Sequence, residues 1–195
     1  MRTIVGIGTL LSKASAVGTC PSMINYRKGK VGGYKRVFNK VDPFHKTKEG
    51  LKIANISVVE DQESTLIVSI FEISEEDWDA ILYREFEYNF HAVSYEDEFE
   101  DSGQALICGA YQNNDTCMTD IYSDPTREEA YKHYCSNYTG KLWRDDILPN
   151  PDYIRKCIEA ASTLGNDVVE NFLETTWLAD GSQNIKQYIQ TKNES

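Results

Sequence analysis

The hydrophobic period changes once along this chain, and that change restricts its fold more than any other feature. From Thr3 to Tyr111 the pattern is short and alternating, rich in Val, Ile, Tyr and Phe. The segments Thr3 to Gly8, Lys30 to Asn39, Leu51 to Val59, Thr65 to Ile73, Asn89 to Tyr95 and Gln104 to Tyr111 read as about six strands. Beyond Asn150 the period becomes helical. Pro151 to Leu164 starts with proline in the first turn and stops at Gly165, and Asp167 to Leu178 sets Val168, Val169, Phe172, Leu173 and Trp177 on one face. Ser74-Glu-Glu-Asp77 and Thr126-Arg-Glu-Glu129 read as capping boxes of two further helices. A strand-rich first part and a helical last third predict an α+β fold. At 195 residues we expect a single domain over 1–195, with 141–195 a helical C-terminal appendage.

Hydrophobic residues at 41% and aromatics at 11% suffice for a core, so the chain is not a disordered one. No run approaches the ~18 apolar residues of a membrane span. A net charge of −11 disfavours a general nucleic-acid binder, which needs a basic surface. Residues 1–52 nevertheless hold eleven Lys and Arg against Asp42 and Glu49 alone. Either this basic sheet faces the acidic stretch Glu72 to Asp101 and the fields partly cancel, or it draws in a small anion.

Five cysteines, Cys20, Cys108, Cys117, Cys135 and Cys157, form no C-x-x-C pair, and His45, His91 and His133 are scattered. Such spacing implies neither a zinc site nor a disulfide framework, and reduced cysteines suit the cytosol. The N-terminus imitates a secretory signal, and Asn55, Asn114, Asn137 and Asn193 open sequons. Gly6, Gly8 and Thr9 interrupt the apolar run, however, so it reads as a strand entering a glycine turn. We expect a cytoplasmic protein with that strand retained.

Two features carry candidate chemistry. On the helix starting at Ser74, the residues Trp78, Ile81 and Leu82 form the core-facing stripe, and the next position on it is Glu85. At about 100° per residue Glu85 falls within roughly 20° of Trp78, while Glu87 points almost the opposite way, away from any cleft. A carboxylate on a packed face is costly unless paired or neutral. It is either a structural partner of Arg84, Arg36 or a backbone group, or a proton-transfer group in an apolar cleft. The second feature is Val5-Gly6-Ile7-Gly8-Thr9-Leu10, a strand running into glycines. Such a turn lets backbone approach a ligand and can aim several N–H groups at an anion. It lacks the third glycine of a dinucleotide fingerprint.

The order of these features resembles that of the γ-glutamylcyclotransferase family, including its ChaC-like and AIG2-like members. Ile7-Gly8-Thr9-Leu10 resembles the family's Tyr-Gly-Ser-Leu loop, and Gly33-Tyr34-Lys35-Arg36-Val37-Phe38 its Gly-Tyr-x-Arg-x-Phe strand. Leu82-Tyr83-Arg84-Glu85, followed by Tyr88 and Phe90 to Val93, is similar to its Leu-x-x-Arg-Glu pattern before a strand. Asn150-Pro151-Asp152-Tyr153-Ile154 resembles the Asn-x-x-Tyr-Leu helix of the ChaC-like branch, and Trp143 to Pro149 is similar to a segment of little-characterised relatives. Ile7 stands where the family has tyrosine, and Thr9 where it has serine.

The resemblance implies a mixed, partly barrel-like β-sheet with flanking helices, and an enzyme that cyclises a γ-glutamyl group to 5-oxoproline without a metal or cofactor. Glu85 would transfer the proton. Ile7, Gly8, Thr9 and Leu10 would bind the substrate, chiefly through backbone N–H groups, and Tyr88 would orient either one. The expected partner is a small γ-glutamyl compound, with neither nucleic acid nor membrane. With Ile7 in the loop, the alternative is a binding module that keeps the pocket without turnover. A third possibility is different chemistry on the same scaffold, such as amine release from a γ-glutamylated intermediate.

Overall fold

Five strands close a barrel in a computed structural model of the chain, which describes residues 1–42, 51–109 and 140–193. They are β1 (Arg2–Gly6), β2 (Ile24–Val41), β3 (Ala54–Ile73), β4 (Asn89–Asp97) and β5 (Ser102–Gly109). Antiparallel ladders join β1 to β3, β3 to β2, β2 to β4 and β4 to β5, and a parallel pairing of β5 with β1 completes the ring. A sixth strand, β6 (Thr176–Leu178), lies outside it, parallel to Arg36–Phe38 of β2.

The strands differ from the sequence expectation in two places. The expected strand at Leu51 to Val59 begins only at Ala54, and it runs on through Thr65 to Ile73 as one long strand, β3, whose register against β2 jumps between Gly32/Thr65 and Tyr34/Glu60. The polar run Asp61 to Ser64 bulges out there instead of forming a turn, because Gly33 at φ +82 lets β2 bend with it. At the other end, the helical period of Asp167 to Leu178 breaks at Thr176. Thr176, Trp177 and Leu178 instead satisfy the outer edge of β2, where β-branched and aromatic residues fit well. The Thr126 capping box, Cys117, Cys135, His45, His133 and the end of the last predicted strand lie outside the described residues.

Helices cover the barrel on two sides. α1 (Lys13–Thr19) and α2 (Glu75–Arg84) pack Ala16 and Ile81 against Ile4, Phe71 and Ile73. Ser74 caps α2 by accepting from the Asp77 N–H at 3.2 Å. On the other side α3 (Pro151–Ser162), α4 (Asn166–Thr175) and α5 (Ile185–Asn193) surround Phe38 and Phe172. Asn150 caps α3 from the residue before Pro151, accepting from the Asp152 and Tyr153 N–H groups. The barrel interior is aliphatic: Val5, Val31, Leu66, Val68, Ile70 and Ile107. Alternation along β1 explains the layers, since Ile4 and Val5 point to opposite faces and both are buried.

Basic and acidic stretches do meet. Arg27 on β2 pairs with Glu72 at 3.1 Å and with Asp97 at 2.6 Å, and Lys35 pairs with Asp61 at 3.0 Å. Burial alone would raise the Asp97 carboxyl, but Arg27 and the amides of Phe99 and Asp101 outweigh it and hold it below its ordinary range. Cys20, Cys108 and Cys157 are free thiols, all buried. Among the described residues no helix is long and apolar enough to cross a membrane.

Candidate active site

The strand β1 ends at Gly6 because the chain must fold back on itself there. A Cβ on Gly6 would collide with Ser69 Oγ and come within 2.6 Å of the Leu10 carbonyl oxygen. Ile7 and Gly8 then lead into one turn of 3₁₀ helix, Thr9–Leu11, closed by Leu11 N–H donating to the Gly8 carbonyl at 2.9 Å. The amides of Gly8, Thr9 and Leu10 precede the first closed ring, so they have no acceptor among the described residues. The Ile7 carbonyl is fixed from behind by Arg36, whose Nε donates to it at 2.8 Å.

Arg36 is fully buried and faces no carboxylate among the described residues. Its guanidinium also donates to the Ile67 carbonyl, Asn171 Oδ1 and Thr175 Oγ1, and lies 5.4 Å from the Phe172 ring centroid. Burial pushes it down to about 10, so it is still a cation at neutral pH. The candidate pairing of Glu85 with Arg36 is therefore not formed; Arg36 supports the loop backbone instead.

Glu85 sits one residue past the end of α2, where its N–H makes the last helical bond, to Ile81. Its carboxylate accepts from Arg84 Nε at 3.0 Å. The same guanidinium donates to Thr9 Oγ1 at 2.9 Å and to Ser15 and Thr19 of α1. One arginine thus links the glutamate to the glycine loop.

Helical geometry stops at Glu85, and the expectation for Glu87 fails for that reason. Tyr88 N–H donates to the Glu85 carbonyl at 2.9 Å, closing a turn that carries Phe86 and Glu87 into the interior. Glu87 does not line the pocket, but neither is it on a solvated face: it is 3% exposed and paired with Lys40. Burial pushes its carboxyl above the ordinary range, against the pull of the Lys40 ammonium. Its Oε1 has no hydrogen-bond partner among the described residues.

These segments enclose a narrow pocket with a cavity volume of about 30 Å³. Ile7, Gly8, Thr9 and Leu10 form one wall, and Glu85 and Tyr88 another; Val5, Ile56, Cys108 and Tyr153 complete it. A larger and more open concavity of about 600 Å³ lies over the β4–β5 hairpin, lined by Ser, Thr, Gly and Gln with Lys30, Tyr95 and Glu96. The narrow pocket, by contrast, brings a carboxylate and the glycine loop together.

Tyr88 is placed on the pocket, but its hydroxyl donates to the Ile56 carbonyl at 2.7 Å. Tyr153 was not expected there as a site residue. Its hydroxyl lies 2.8 Å from where a Gly8 Cβ would be, so helix α3 brings a phenol to the loop. The Asn150-Pro151 helix start was the readable signal; the direction of Tyr153 was not. Burial raises Tyr88, Cys108 and Tyr153 well above their ordinary ranges, and the Glu85 carboxylate adds to each shift. All three are neutral at neutral pH.

No protein-family model matches the sequence, and no curated protein matches it. Among solved structures, a γ-glutamyl cyclotransferase superposes with a TM-score of 0.60 over 99% of this chain and 98% of its own, at 10% identity. The human uncharacterized protein loc79017 gives 0.59 over 100% and 98%, also at 10% identity. A yeast γ-glutamyl cyclotransferase specific to glutathione gives 0.52 over 87% and 94%, at 14% identity. The chain therefore has the γ-glutamylcyclotransferase-like fold.

Proposed function

We propose that the chain is a γ-glutamylcyclotransferase-like enzyme that closes a γ-glutamyl group to 5-oxoproline and releases the attached amine. The observation that carries this reading is the meeting of Glu85 and the free amides of Gly8, Thr9 and Leu10 in one narrow, largely apolar pocket. Glu85 takes a proton from the substrate's α-ammonium. The freed amine attacks the γ-carbonyl of the same molecule, forming the ring C–N bond. Glu85 then returns the proton to the leaving nitrogen as the old C–N bond breaks, and the second proton of the ring nitrogen passes to the released amine, which departs as an ammonium. Because nucleophile and electrophile share one molecule, holding the folded conformer supplies much of the rate, and the scheme requires no metal or cofactor. The loop amides receive the α-carboxylate or the oxyanion that develops on the carbonyl. Tyr88 and Tyr153 shape the pocket around them, with the Tyr153 hydroxyl as a neutral donor beside the loop.

The reading includes a cytoplasmic location and no nucleic-acid or membrane partner. A binding module without turnover is favoured by one feature, Ile7 in place of the loop hydroxyl. Incubating purified protein with glutathione and a panel of γ-glutamyl amines separates the two readings. Release of 5-oxoproline supports the enzyme; saturable binding with no product from any of them supports the module.

A further inference from the structure

We propose that Lys40 is a positioning residue, which acts through Glu87 and Tyr88 to fix the turn that presents Glu85 to the pocket. This rests on the reading of Glu85 as the proton-transfer group. Lys40 is on β2 and 2% exposed. It pairs with Glu87 Oε2, and it stands 4.7 Å from the centroid of the Tyr88 ring. Tyr88 is a pocket wall, with its hydroxyl on the Ile56 carbonyl and its N–H on the Glu85 carbonyl. One cation therefore touches two of the three residues that follow Glu85.

The energetics of the pair point to placement rather than stability. A buried ion pair replaced by apolar side chains of similar volume often leaves a protein as stable or more so. This pair is poorly compensated as well, since Glu87 Oε1 has no donor and Asp42 and Glu85 add negative charge around it. What it provides is direction. The turn after Glu85 belongs to neither α2 nor β4, so no regular backbone ladder holds it, and an apolar replacement would fill the space without fixing the register. A displacement of roughly 1 Å at a reacting group can cost on the order of 10²-fold in rate.

The test is Lys40→Met combined with Glu87→Leu, which removes both charges at nearly constant volume. The expected result is a melting temperature at or above wild type, with kcat for 5-oxoproline release lowered about tenfold or more and KM little changed. Exchange of the Tyr88 amide with deuterium should quicken while the barrel strands stay protected. Glu87→Asp, which keeps both charges and shortens the tether by one carbon, is the second variant and should also lose kcat rather than KM. Wild-type turnover and wild-type Tyr88 exchange in either variant would overturn the assignment. If the wild-type protein yields no 5-oxoproline, the enzyme reading has failed, and amide exchange decides the positioning role by itself: faster exchange supports it and equal exchange rejects it.

Discussion

The two segments that meet at the pocket are built on opposite principles. The Gly6–Leu10 loop is held by its backbone: Gly6 admits the Leu10 carbonyl, Leu11 closes on Gly8, and Arg36 grips the Ile7 carbonyl. The Glu85–Tyr88 turn has one backbone bond of its own and is otherwise held by side chains: Arg84 on Glu85, Lys40 on Glu87, and the Tyr88 hydroxyl on Ile56. A backbone-held loop should tolerate exchange of the side chains it carries. A side-chain-held turn depends on partners supplied from other strands, and fails when one is removed.

The sharpest way to break this comparison is to remove a charge from the turn. Glu87→Gln leaves the Lys40 ammonium buried without its counter-ion and should cost about 3–5 kcal/mol of stability, read from denaturant melts. A change below about 1 kcal/mol would mean that the pair is not a true buried ion pair.

Glu85→Gln is the contrasting substitution two residues away. Arg84 keeps four other acceptors and is partly exposed, so stability should change little. Activity should fall by at least ~10²-fold, about 2.7 kcal/mol in barrier. A melt paired with a 5-oxoproline assay reads both quantities; a destabilised but active Glu85→Gln would make Glu85 structural.

In the loop, Gly8→Val should abolish ligand binding, measured by calorimetry with glutathione or 5-oxoproline. The cause is crowding, because a Cβ there would lie 2.8 Å from the Tyr153 hydroxyl and 3.0 Å from Ile56 Cδ1. Positive φ is not the reason, as Gly8 has φ −126. Gly8→Ala should therefore be partly rescued by Tyr153→Phe. No rescue would show that the hydroxyl is not what the glycine makes room for.

The smallest effects come from Thr9. Thr9→Ser keeps the oxygen that accepts from Arg84 and should be nearly silent. Thr9→Val loses one bond to a charged donor and should cost roughly 1 kcal/mol, lowered by partial exposure. Equal behaviour of the two variants in melts and assays would show that the arginine link between loop and turn carries no weight.

The sequence by itself determined the α+β class, the strand into the glycine loop, the cap at Ser74 and the helix start at Pro151, and it set Glu85 in line with the stripe of Trp78, Ile81 and Leu82. Each depends on neighbours within about four residues, where period and capping chemistry act. It also contained the cancellation of basic β2 by acidic segments, though not which cation meets which acid. Only the tertiary structure decided that Glu87 is buried, because the helical wheel used to place it ends at Glu85. Closure of the barrel likewise depends on β5 lying beside β1, a pairing with no local signal. Tyr153, Arg36 and Lys40 reach the site from segments far from it in sequence. Local periodicity says which face a side chain is on; what that face meets is settled by packing, and here packing supplied every partner that makes a loop and a turn into one pocket.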